Sequence, residues 1–169
     1  IAILDTGVDG THPDLQSKMV PGWNIYNNNS DTRDVYQHGT VVAGTAAAAS
    51  NNSQGVASIA WNCPIMPIRI SALDGTATYS AMANGLTWAA DHGARVANIS
   101  YKASTSSTVA SAANYFQSKG GVVVAAAARG SPGQRHPVAR RVGDHERSPL
   151  DAVAIGDLPG AGRGFHGIE

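Results

Sequence analysis

IAILDTG, residues 1–7, sets four apolar side chains in an unbroken run directly before an Asp-Thr-Gly turn. Apolar residues at successive rather than alternate positions mark a strand buried on both faces, as in a parallel sheet. Comparable runs recur at Ile65–Ile70, Val96–Ile99 and Val122–Ala127, each bounded by Gly, Pro, Asn or Asp. Between them lie three stretches of helical character. Thr40–Ala49 is small and Ala-rich. Tyr79–His92 places Met82, Leu86 and Ala90 on one face, with Gly93 as a stop. Val109–Lys119 aligns Val109, Ala112, Ala113 and Phe116 before the Gly120-Gly121 break. Strand-helix-strand alternation of this kind predicts an α/β fold: a mostly parallel sheet with helices on both faces. Pro21–Asp34, with Asn27-Asn28-Asn29, reads as an exposed loop.

At 169 residues the chain suits one domain with its own core. Twelve basic and twelve acidic side chains cancel, so neither nucleic acid nor an anionic membrane surface is an expected partner. The single Cys63 excludes an internal disulfide framework and a cysteine-built zinc site. No apolar run approaches the roughly 18 residues of a membrane span. The chain opens inside a strand, without an initiating Met, and is expected to be a piece of something longer.

Composition divides the chain near Arg129. Ten Asn, ten Thr and three Lys precede that residue and none follows it. Residues 129–169 instead hold six Arg, eight Gly, four Pro and four Ala, and the spacing of Pro132, Pro137, Pro149 and Pro159 is too close for long helices. We therefore expect an ordered domain over 1–128 and an atypical, poorly ordered Arg/Gly/Pro-rich tail over 129–169. Gly, Ala, Pro and Arg have the most G/C-rich codons, so part of the tail is expected to be translated out of frame. A natural flexible tail is the alternative.

Two motifs carry chemistry. Asp5-Thr6-Gly7 puts a carboxylate at the carboxyl end of a strand, where open α/β sheets bind ligands. By itself it is equally a strand-ending turn, or half of an aspartic peptidase pair completed by a second copy of the chain. His38-Gly39-Thr40 opens the Ala-rich helix, a position suited to a general base. Alone, such a histidine is more often a packing residue bonded to a carboxylate.

Together the two motifs resemble the subtilisin-like serine peptidases, the subtilase family. Residues 1–15, IAILDTGVDGTHPDL, look like that family's aspartate block, and residues 37–45, QHGTVVAGT, like its histidine block. The likeness continues through NNSQGV (51–56), VANIS (96–100) and GGVVVAAA (120–127), in the family's order. It implies that residues 1–128 are a partial catalytic domain with a three-layer subtilisin-like fold, incomplete at the C-terminal side. Asp5 and His38 would be two members of a Ser-His-Asp triad, and peptide bonds would be hydrolysed through an acyl-enzyme. Ser100, Tyr101 and Lys102 would line the substrate cleft, Lys102 standing where many relatives have Gly. Asp14 and the Asn52 side-chain oxygen, with loop carbonyls, would bind a structural calcium ion. The chemistry itself would need no cofactor. The parent would be a secreted monomer acting on polypeptides.

The departures are as definite. Ala128-Arg129-Gly130 stands where the family has Gly-Asn-Ser-Gly, whose Asn stabilises the oxyanion, and the nucleophile block Gly-Thr-Ser-Met-Ala is nowhere in these residues. Ser131, between Gly130 and Pro132, misses the Gly-x-Ser-x-Gly pattern. The expected reading is a fragment with the Asp and His of the triad and no nucleophile, inactive alone. A pseudo-peptidase or peptide-binding remnant is the alternative, and a dimeric aspartic peptidase leaves the His38 block unexplained. His136, Asp144, His145 and Glu146 lack zinc-helix spacing and read as a solvated stretch. Cys63 reads as a half-buried thiol, and Trp23 and Trp88 as packing residues.

Overall fold

The computed structural model describes residues 1–103 and 106–126. Five strands, β1 (Ala2–Asp5), β2 (Trp23–Asn24), β3 (Met66–Arg69), β4 (Val96–Lys102) and β5 (Val122–Ala126), alternate with helices α1 (His38–Ala47), α2 (Tyr79–Asp91) and α3 (Ser107–Ser118). The strands form one sheet in the order β2-β3-β1-β4-β5, every pairing parallel. As expected from the apolar runs, both faces are covered. Leu4, Ile68, Ile70, Ala97, Ile99 and Val123 pack on one side with Leu86 of α2 and Phe116 of α3. On the other, Ile3 packs with Val8, Leu15, Ile65 and the small residues Ala43 and Ala47 of α1.

The chain leaves β1 through α1 to β3 on one side, then returns through α2 to β4 on the other. Winding therefore reverses at β1, and the crevice beyond its carboxyl end is where such sheets hold ligands. Asp5 is the last residue of that strand.

Three elements depart from the sequence reading. Pro21–Asp34 is not simply an exposed loop: Trp23 and Asn24 form edge strand β2 on Ile68 and Arg69, and Asn24 is fully buried. Its amide donates to the Asp31 carbonyl at 2.8 Å and accepts from the Asn27 N–H at 3.0 Å. Asn side chains thus stand in for backbone partners in a segment too short to show a period. Helix α1 opens at His38 as expected but ends at Ala47, short of Ala49, and β4 runs on to Lys102 through an irregularity in its pairing with β5 after Ile99. Trp23 and Trp88 stack at 6.2 Å, tying the β2 edge to α2, and Cys63 is half-buried. The tail, Arg129, Ser131 and the group from His136 to Glu146 lie outside the described residues. Among those described, no helix is long and apolar enough to cross a membrane.

Helices α2 and α3 start on hydroxyl caps. Thr78 Oγ1 accepts from the Ala81 N–H at 3.1 Å, and Ser106 Oγ from that of Val109 at 3.3 Å. Thr78→Ala is expected to cost about 1 kcal/mol in urea unfolding, with Thr78→Ser close to neutral.

Candidate active site

At the end of β1 the Asp5 side chain is completely buried, whereas that of His38 is 48% exposed. His38 Nδ1 lies 2.8 Å from Asp5 Oδ1, which also accepts the Thr6 N–H at 2.7 Å. A dry carboxylate beside a half-open ring favours the tautomer with its proton on Nδ1, leaving the lone pair on Nε2. Within the chain the buried Asp5 carboxylate is thus engaged by a histidine.

What holds His38 there is a residue that the sequence reading passed over. Asp34 Oδ1 accepts from Thr6 Oγ1 at 2.7 Å and from the Tyr36 and Gln37 N–H groups at 3.0 and 2.9 Å. Its Oδ2 accepts the Thr40 N–H at 2.8 Å and the Thr40 hydroxyl. Thr6 Oγ1 in turn accepts the Gly39 N–H at 2.9 Å, so one carboxylate bridges the aspartate turn and the first turn of α1. Burial pushes the Asp34 carboxyl up, but bonds from Thr40, Thr6 and the backbone outweigh it and hold it below the usual carboxylate range. Gln37, immediately before the helix, is left-handed at φ 69°. Non-glycine residues adopt that conformation only when surroundings enforce it, and Asp34 supplies the bond that does so here. The available signal was an aspartate four residues before a histidine at a helix start, favourable to the helix dipole.

Close contact does the rest. At Gly39, a Cβ would fall 2.1 Å from the Gly7 carbonyl oxygen and 3.0 Å from Asp5 Cβ.

Ser100 lies one residue past the last β1–β4 register pair, Leu4 with Ile99, and so at the same sheet end as Asp5. Its hydroxyl oxygen accepts from the Asn98 amide at 2.9 Å. Tyr101 is half-buried and donates to the Gly75 carbonyl at 2.9 Å, anchoring the loop after β3. Burial, then the charge of Asp5, pushes its phenol up to about 12. Lys102 is exposed at the strand end.

Asp14 and Asn52 also meet. The Asn52 amide nitrogen donates to Asp14 Oδ1 at 2.7 Å and the Val56 N–H to Oδ2 at 3.1 Å. These bonds hold the Asp14 carboxyl below its usual range. As the structure holds them, both Asp14 oxygens accept N–H bonds and the Asn52 oxygen accepts the Gln54 N–H at 3.2 Å, so a calcium ion would require the Asn52 amide to turn its oxygen toward Asp14. Among the described residues no cluster of three acidic, His or Cys side chains surrounds it, so loop carbonyls would complete the shell.

Comparison with known proteins places the chain in a family. The family model described as the subtilase family matches residues 1–156, running past the composition change at Arg129. Thermitase of Thermoactinomyces vulgaris is 45% identical over 138 residues, 81% of this chain and 49% of the relative. Subtilisin Savinase of Lederbergia lenta is 39% identical over 138 residues, 79% of this chain and 48% of the relative. Among solved structures, sphericase superposes with a TM-score of 0.68 at 30% identity, covering 73% of this chain and 44% of that one. The chain thus spans about half the length of these relatives. With a matched model over most of its length, a parallel sheet of the same type and a bonded Asp-His pair at its switch point, the chain belongs to the subtilase family.

Proposed function

We propose that this chain is the part of a secreted, monomeric subtilisin-like serine endopeptidase that carries Asp5 and His38, and that it is inactive alone. The observation that supports this most directly is the 2.8 Å contact between the dry Asp5 carboxylate and the half-open His38 ring. In the longer protein, His38 Nε2 would take the proton of a serine hydroxyl as it attacks the scissile carbonyl, then return it to the leaving amine. Asp5 would hold the tautomer and balance the imidazolium. Ser100 to Lys102 would line the cleft that receives the polypeptide. The serine would come from a block these 169 residues do not contain, and no cofactor enters the chemistry.

A serine-reactive phosphonate tests both halves. The 169-residue chain is expected to remain unlabelled, and a longer gene product to be labelled in a manner lost in His38→Ala. Stoichiometric labelling of the short chain would overturn its inactivity. A longer product that binds peptides yet neither turns them over nor labels would support the pseudo-peptidase reading instead. The coding DNA read in all three frames across Val124 tests the domain boundary: absence of a better family continuation in another frame sinks the frameshift.

Calcium at Asp14 and Asn52 belongs to the same proposal, its role being to tie the 50–56 loop to the turn at Asp14. A ligand at 100 times its Kd adds about 2.7 kcal/mol, or roughly 5–10 °C in Tm for a chain of this size. Chelation is expected to lower Tm by that amount in the wild type and to leave Asp14→Ala unmoved.

A further inference from the structure

Arg69 is the last residue of β3 and the register neighbour of Asp5, so it stands at the same sheet end as the Asp-His pair. The arginine is 4% exposed. Its Nε donates to the Ser71 carbonyl at 3.3 Å, and no carboxylate among the described residues lies within ion-pairing distance of it. Charged side chains are rarely buried without a partner, because desolvating an unpaired ion is costly. This one borders an open surface depression of about 430 Å³ that is also lined by Tyr26, Asn27, Ala72, Leu73 and Asp74.

The surrounding charges define what the depression accepts. Asp31 is near enough for its charge to feel Arg69, but both its oxygens are bonded to the Arg33 guanidinium at 2.8 and 2.7 Å. Asp74, on its lining, accepts the Thr76 N–H and hydroxyl at 2.9 and 2.7 Å, which hold its carboxyl below the usual range. The depression therefore offers one buried guanidinium fork and, on the same lining, one fixed negative charge. A fork suits a planar carboxylate, and the negative charge penalises a dianion such as phosphate.

We infer that the Arg69 depression is a binding pocket for a single carboxylate of a polypeptide chain. That the carboxylate belongs to a polypeptide rests on the proteolytic reading, while the pocket's preference for a monoanion does not. The 73% exposed Leu73 supplies an apolar rim for the aliphatic stem of such a residue.

The test is direct binding by the 169-residue chain, followed by NMR at the Leu73 and Asp74 amides. Its probes are three capped tripeptides: acetyl-Ala-Glu-Ala-amide, acetyl-Ala-Gln-Ala-amide, and acetyl-Ala-Gln-Ala with a free carboxyl end. A charge-assisted bond predicts that at least one carboxylate peptide binds about 10-fold or more tighter than the neutral one. Which of the two binds tells a side chain from a terminus. Asp74→Asn, on the exposed wall, is expected to tighten that binding about threefold and to admit inorganic phosphate, while Arg69→Gln abolishes the preference. Equal binding of all three peptides, or phosphate binding the wild type as well as Asp74→Asn, would overturn the pocket. Because nothing here depends on turnover, either outcome leaves the protease assignment to the phosphonate experiment.

Discussion

Gly39→Ala is expected to drive Asp5 and His38 apart and to destabilise the fold by about 2–3 kcal/mol. The added methyl would sit 2.1 Å from the Gly7 carbonyl oxygen and 3.0 Å from Asp5 Cβ. Neither neighbour can yield cheaply. Gly7 is itself at φ +106°, where its own Cβ direction faces the Arg33 carbonyl at 2.4 Å, and Asp5 is held in the centre of the sheet. The start of α1 must therefore back away, carrying His38 with it. Overpacking costs about 1–3 kcal/mol and more against backbone, partly offset by the roughly 1 kcal/mol alanine gains over glycine in a helix. Gly44 is the control: in the same helix, its Cβ would meet nothing within 4 Å, so Gly44→Ala is expected to stabilise by about 0.5–1 kcal/mol. Chemical denaturation reads both. The His38 Nδ1–H resonance is expected to persist in Gly44→Ala and to vanish in Gly39→Ala, and the longer enzyme would lose about 100-fold in kcat/KM. Gly39→Ala with native stability and an intact resonance would refute the close-contact account.

The parts of this molecule that were legible from its sequence share a physical cause. Strands buried on both faces leave no polar alternation, so β1, β3, β4 and β5 announce themselves as apolar runs, and Ala43 and Ala47 mark a helix lying close to the sheet. The aspartate and histidine motifs were legible because their neighbours are constrained too: Gly7 follows Asp5-Thr6 and Gly39 follows His38, where backbone meets backbone. Strand β2 was not, since two residues carry no period and Asn24 is buried by side-chain bonds that mimic a main chain. Arg69 passed as part of an apolar run, although a guanidinium inside such a run is itself a signal that the strand end opens onto something polar. Asp34 closed what looked like a loop, and a carboxylate that serves five donors across 34 residues of chain shows its role only once those donors converge.

That convergence makes Asp34 the second sensitive point. Asp34→Ala is expected to cost about 2–3 kcal/mol at pH 7, chiefly through the charge-assisted bonds of Thr6 and Thr40, because the Tyr36 and Gln37 N–H groups are exposed enough to take water. The pH dependence has a definite sign. A carboxyl held below its unfolded value, about 3.9, stabilises the fold fully above that pH and loses the contribution as pH falls through its lower native value. The stability gap between wild type and Asp34→Ala should therefore be constant from about pH 5 upward and shrink below pH 4. Asp34→Asn, with one carbonyl in place of two carboxylate oxygens, should fall between them and leave no such step. A gap that instead persisted unchanged to pH 2 would mean that Asp34 acts by shape and not by charge. Without its anchor Gln37 has no reason to stay left-handed, so His38 should lose its fixed approach to Asp5 even though neither partner has been altered. On the proposed function, activity of the longer protein would then fall while Asp5 and His38 both remain in the sequence, which is the behaviour of a positioning residue.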